Sequence, residues 1–213
     1  MKVFSVIILI FLFTASCKRN EAIFSCNTSI NEYVSNHISE LKSLSLTDLT
    51  KSDLAFQQAV FRSYDAAKKR EIWLQKIQLL LDTQNYTEAE YSHVSNLLSH
   101  LHANYFEPDN LESEAFDRRQ FALAWIGKAK SELGWSDKDI AFVVYRLYTK
   151  QEQFNPEINT SPANQTDTVD PNGNCSCSTE SDFCVANYCM SGNCKIASNC
   201  GWLWSETCDG KCV

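Results

Sequence analysis

The chain has 213 residues, ten cysteines and a formal net charge of −7. That length accommodates one ordinary domain plus an appendage. The acidic balance argues against a nucleic-acid partner, because phosphate binding needs clustered Lys and Arg.

At the amino end, Lys2 precedes an eleven-residue apolar stretch, Val3 to Phe13. A helix needs roughly 20 apolar residues to cross the hydrocarbon layer, so residues 1–16 read as a signal peptide that is removed. Thr14-Ala15-Ser16-Cys17 resembles the lipobox of bacterial lipoproteins. The resemblance implies that Cys17 carries acyl chains such as palmitate and becomes the new amino terminus. It also implies an exported protein, held in the bacterial cell envelope by an N-terminal lipid anchor, on its periplasmic or its outer face. Ordinary secretory cleavage near Ser16 is the alternative. Lys18 and Arg19 follow, where they can meet anionic headgroups.

Residues 17–150 are rich in Leu, Ala, Glu and Lys and poor in Gly and Pro. Ile30, Tyr33, Val34, His37, Ile38 and Leu41 form one helical stripe that Ser29 can cap. Leu54 to Phe61 reads as a second helix. Asp65 to Leu81 reads as a third, with Trp73, Ile77, Leu80 and Leu81 on one face. Thr87 and Glu90 form a capping box for a fourth helix carrying Val94, Leu97, Leu98, Leu101 and Tyr105. Pro108 forces a break, after which Phe121, Trp125, Ala129 and Leu133 mark a fifth. Gly134 suits a left-handed stop and Ser136 a new start, with Ile140, Val143, Val144 and Leu147 as the last apolar face. Six short amphipathic helices predict a small bundle.

This helical stretch offers little chemistry. His93 and His100 share a face, but no Cys or carboxylate at i+3 or i+4 completes a usual metal-ligand set. They read, with His102, as partly exposed helix histidines. The runs Asp117-Arg118-Arg119 and Lys68-Lys69-Arg70-Glu71 read as solvated helix faces. No nucleophile lies beside a base, and no Gly-rich phosphate loop occurs. The expectation is a protein that is not an enzyme and uses no metal or cofactor.

Residues 151–174 are polar, with three prolines and many Asn and Thr, and read as a flexible linker. Residues 175–213 hold eight cysteines: Cys175, Cys177, Cys184, Cys189, Cys194, Cys200, Cys208 and Cys212. Structural zinc prefers C-x2-C pairs, and none occurs here. Export also favours oxidation, so four disulfides are expected, in any of about 105 pairings. Cys26 is left over, as a buried thiol or a partner outside its domain. Several loop closures can offset the missing core of so small a unit. Phe183, Tyr188, Trp202, Leu203 and Trp204 are too many apolar side chains for its interior. Phe183, Tyr188, Trp202 and Trp204 are therefore candidates for an exposed binding surface, unless they simply pack over the disulfides. The predicted class is all-α: a helical bundle, a flexible linker and a disulfide-rich module.

The segment Asn174-Cys175-Ser176-Cys177-Ser178-Thr179-Glu180-Ser181-Asp182-Phe183-Cys184 resembles the opening of fulvocin C, a small four-disulfide bacteriocin. The C-x-C, the Ser-Thr, the Ser-Asp-aromatic and the six-residue gap all match, as do the eight cysteines and a later Trp-containing stretch. The helical part with its lipobox resembles the longer fulvocin C-related lipoproteins. The resemblance implies an antimicrobial-type module acting at a receptor on target cells. The tail's four acidic residues outweigh its two lysines, which speaks against membrane disruption by charge. Two other readings stand beside it. One is a non-toxic envelope lipoprotein whose disulfide knob recognises a partner. The other is a helical domain that holds its own tail inactive, which predicts contact between the two parts.

Overall fold

The computed structural model describes residues 23–25, 27–159, 175–185, 188–191 and 197–212. The signal peptide, Cys17, Cys26, most of the linker and Cys194 lie outside the described residues. Those described form a mostly helical protein with a small disulfide-bonded carboxy-terminal region containing short strands.

Ten helices occur among the described residues, where the periodicity predicts six. The predicted first helix is two, α1 (Thr28–Asn36) and α2 (Ile38–Leu41). They part at His37, whose ring stacks on Tyr33 at 4.2 Å and whose Nδ1 and backbone N–H both lie in hydrogen-bond reach of the Tyr33 carbonyl. The cap is Asn27, whose side chain accepts from the Ile30 N–H, rather than Ser29. A one-turn helix, α3 (Leu46–Leu49), leads into α4 (Leu54–Ser63) and the long α5 (Ala66–Thr83).

The Thr87–Glu90 capping box opens α6 (Glu88–His100) as the sequence predicts. That helix ends before Leu101, so Leu101 and Tyr105 reach the core from the following turns. Pro108 is the first residue of α7 (Pro108–Ser113), where its missing N–H costs nothing. Next come α8 (Ala115–Glu132) and α9 (Asp137–Val144). Between them Gly134 takes a φ of 69° and Ser136 caps α9, reinforced by Asp139. Leu147 is buried beyond the end of α9.

The start of the predicted linker is helical. In α10 (Gln151–Asn159) Phe154 is buried, with its ring against Phe142, Tyr148 and Phe183. The buried Phe154 ring pins the start of this helix to the body.

Arg118, from a run read as solvated, turns inward, and so does Lys76, which lies outside both runs. Arg118 is buried and donates to the Leu111 carbonyl and to the Asn110 carbonyl, which also accepts the Glu114 N–H at the end of α7. Lys76 is fully buried on α5 and donates to the carbonyls of Phe142, Val143 and Arg146 at the end of α9. Burial, and then the Arg146 charge, holds its ammonium well below the usual lysine range. A helix carboxy-terminus rich in unpaired carbonyls is where a buried cation is best placed.

The carboxy-terminal region contributes four strands. β1 (Cys189–Ser191) pairs antiparallel with β4 (Gly210–Cys212), and β2 (Ala197–Cys200) with β3 (Glu206–Cys208). Its Trp202, Leu203 and Trp204 belong to the same buried cluster as the cores of α4, α5, α8 and α9. The tail is packed into the helical body.

Candidate functional site: the docked disulfide tail

Cys177 is bonded to Cys189, Cys184 to Cys212 and Cys200 to Cys208, and Cys175 is disulfide-bonded as well. The sulfurs of Cys177, Cys184 and Cys189 lie within 4.8 Å of one another. They are stacked disulfides, and a bonded sulfur has no thiolate to offer a metal. Gly210 runs across this stack. Its N–H and carbonyl pair with Cys177, and a Cβ there would lie 2.5 Å from the Cys189 sulfur. The backbone approach requires glycine.

From this sulfur-filled base the segment Trp202–Trp204 projects as a plug. Trp202 and Trp204 are each only 1% exposed. That corrects the expectation of an exposed aromatic surface: the tail has too little interior for them, and the helical body supplies one. The Trp204 ring meets Phe61 of α4 edge-on at 5.2 Å and Trp73 of α5 at 6.0 Å, and its Nε1 donates to the Tyr145 carbonyl at 2.9 Å. Trp202 packs against Trp125 and Phe121 of α8 at 5.5 and 6.1 Å. Leu203 and Trp204 have φ values of 48° and 53°, and Asn199 one of 70°. Such left-handed backbone is uncommon for non-glycine residues and persists where the surroundings enforce it. Here one enforcing contact is the Asn199 amide, which donates to the Trp204 carbonyl.

Of the other two surface candidates, Phe183 is half-buried, beneath the Arg146 guanidinium and against Phe154. Tyr188 is 60% exposed and so remains on the surface.

Cations of the body reach across to the tail. On α4, Arg62 donates through Nε to the Ser198 carbonyl at 2.7 Å and through Nη1 to the Phe24 carbonyl at 2.7 Å. Lys69 reaches the Asn199 side chain at 3.4 Å, and Arg119 lies 3.8 Å from Glu180. Arg146 donates to the Phe183 carbonyl at 3.0 Å and stands 3.9 Å from Asp182, both side chains being nearly inaccessible.

Two buried carboxyls organise the tail's side of the junction. Asp182 accepts from the N–H groups of Ser178, Gly201 and Phe183. Burial raises its pKa, and Arg146 and these N–H groups oppose the rise. Glu206 accepts the Ser181 hydroxyl at 2.7 Å through one oxygen, while its other oxygen is buried without a hydrogen bond. Burial pushes this carboxyl up to about 7, against the pull of Ser178 and Ser181. Gly201, at a φ of 64°, lies so close that any Cβ would strike the Glu206 carboxylate.

Sequence reasoning did not single out Arg62 or Arg146, and it read Asp182 and Glu206 as charges of the tail and Gly201 as a turn. The available signals were Arg146, the one cation in the apolar run Ile140–Tyr148, and two acids set among the tail's aromatics.

Of the three histidines, His93 is less exposed than expected. His93 is 5% exposed and stacks on Trp125 at 4.2 Å, and His100 stacks on Phe121 at 3.6 Å. Burial is the main cause that lowers both, His100 to about 4. His102 lies apart from them, 3.1 Å from Glu114.

Among the described residues no helix is long and apolar enough to cross a membrane. No family model matches the chain, and no curated protein or solved structure matches it.

Proposed function

We propose that this is an exported, lipid-anchored protein of the bacterial envelope, related to fulvocin C, that carries a bacteriocin-type disulfide module sheathed by its own helical body. The observation that supports this reading is the burial of Trp202, Leu203 and Trp204 in the body's core. Those are the side chains with which a free module would engage a receptor or a lipid surface. Docked, they are hidden. The module acts by binding, without catalysis, once it leaves the body, and Cys17 supplies the membrane attachment.

A protease site placed within residues 160–174 tests the proposal on the whole oxidised protein. Intact protein is expected to leave related bacterial strains unharmed. Cleavage followed by mild denaturant, to separate the tail, is expected to give killing that disappears on reduction. Separated tail that kills none of a broad panel would refute the antimicrobial role.

The same burial also favours a second reading, in which the tail is a permanent structural cap of a non-toxic envelope lipoprotein. Under that reading Tyr188 and Met190, both exposed on the tail, are its recognition surface. Cleaved tail would then stay bound through every condition that leaves the body folded.

A further inference from the structure

A cleft of about 250 Å³ opens between α6 and α8, lined by Ser92, His93 and Asn96 on one side and Phe121, Trp125 and Lys128 on the other. His93 carries the strongest sign of a ligand. Its ring is almost wholly buried, it lines the cleft, and its Nε2 has no hydrogen-bond partner. A buried polar nitrogen in that state is costly, and a turn of the ring toward the cleft would let an occupant satisfy it.

The surroundings fix the chemistry of that occupant. Lys128 places an ammonium at the rim, and Ser92 and Asn96 add a hydroxyl and an amide from exposed positions. Phe121 and Trp125 make the rest of the lining apolar. Phosphate would press charged oxygens against those rings, whereas a carboxylate with a short apolar body matches both halves. The charged groups acting on His93 are Lys128, which disfavours its protonation, and Glu132, which favours it. Glu132 also stands 3.9 Å from Lys128. The rings of Trp125 and Trp135 complete its surroundings.

The lining also connects the cleft to the tail. Trp125 and Phe121 face it, and the same two rings hold Trp202. We propose that this cleft binds a small organic carboxylate between His93 and Lys128, and that the bound ligand strengthens the grip of the body on Trp202. By linkage, a ligand that prefers the docked arrangement of these rings stabilises docking, and docking strengthens the ligand to the same degree. The inference rests on the docked Trp202 and holds whether or not the released tail kills.

The test uses the full oxidised protein with benzoate as the probe and NMR of the His93 ring as the readout. Benzoate is expected to shift the His93 signals saturably and to raise the pH of their titration. Lys128→Gln, a change at an exposed residue, is expected to weaken binding about tenfold, and Lys130→Gln, whose partner is Asp137, to leave it unchanged. Trp202→Phe, checked for folding by circular dichroism, is expected to weaken benzoate severalfold. A missing saturable shift, or equal affinity in Lys128→Gln, would overturn the site. Phosphate that binds as well as benzoate would overturn the ligand class, and unchanged affinity in Trp202→Phe the coupling to the tail.

Discussion

The helical body and the carboxy-terminal tail solve the same problem by different means. The body buries aliphatic and aromatic side chains against one another: Val34, Leu49, Ile72, Ile77, Leu80, Val94, Leu97 and Val144 are all inaccessible. The tail's own interior is chiefly sulfur, a small cluster of Cys175, Cys200 and Cys208 beside the stacked bridges. Its large apolar side chains leave that interior and complete the core of the body. A short segment cannot enclose several tryptophans, and crosslinks allow it to fold without doing so. The disulfides therefore give the tail its shape, and the body gives its aromatics a place to be buried.

If that division is correct, the largest effect comes from the plug. Trp204→Ala removes an indole from between Phe61 and Trp73 and costs the Tyr145 carbonyl one of its donors, leaving it the Arg146 guanidinium. Large-to-small changes of this kind cost roughly 3–5 kcal/mol. The loss is expected in the urea midpoint of the helical signal at 222 nm, although the residue belongs to the tail. A midpoint unchanged at that wavelength would show that the two regions fold separately.

Removing a crosslink examines the other half of the comparison. Cys184→Ser combined with Cys212→Ser opens a bridge between residues 28 apart, worth about 3–4 kcal/mol on the disputed chain-entropy account. Because docking holds the tail from the other side, the variant is expected to keep Trp202 and Trp204 buried in the absence of denaturant. Its unfolding midpoint should fall and acrylamide quenching of tryptophan should stay low. High quenching without denaturant would mean that docking depends on this bridge outright.

The sequence shows the helices better than it shows this junction. Local signals were enough wherever the cause is local. The Thr87–Glu90 capping box and the Ser136 cap form as expected, and Gly134 takes the left-handed turn. The break at His37 is local too, but it coincides with a ring stacked on Tyr33 and a side-chain bond to the Tyr33 carbonyl, which apolar periodicity does not register. The surplus of tail aromatics was visible as a count. Their destination was not, because it depends on a gap among Phe61, Trp73, Phe121 and Trp125, residues 77 to 143 positions away in the chain. Arg118 and Lys69 misled for a related reason. Charge runs normally face water, yet these two meet carbonyl and amide acceptors that only the fold supplies. In residues 151–159, Phe154 was a mark of order in a mostly polar stretch.

The junction's response to pH gives the smallest and most selective test. Glu206 titrates near 7 in the folded protein because burial disfavours its charge, and in the unfolded chain it returns to the usual glutamate value of about 4.3. A folded pKa raised in this way contributes stability that is fully present below the unfolded value and is lost as pH rises through about 7. Asp182 is raised by the same cause and acts in the same direction. His100, lowered to about 4, acts in the opposite sense: its contribution is present above its unfolded value and lost as pH falls through about 4. Glu206→Gln keeps the shape and removes the titration, so the difference between variant and parent isolates this one carboxyl. The parent is expected to lose about 2–3 kcal/mol relative to the variant between pH 4.5 and 8. Parallel stability curves across that range would place Glu206 in contact with water and the tail's plug correspondingly ajar.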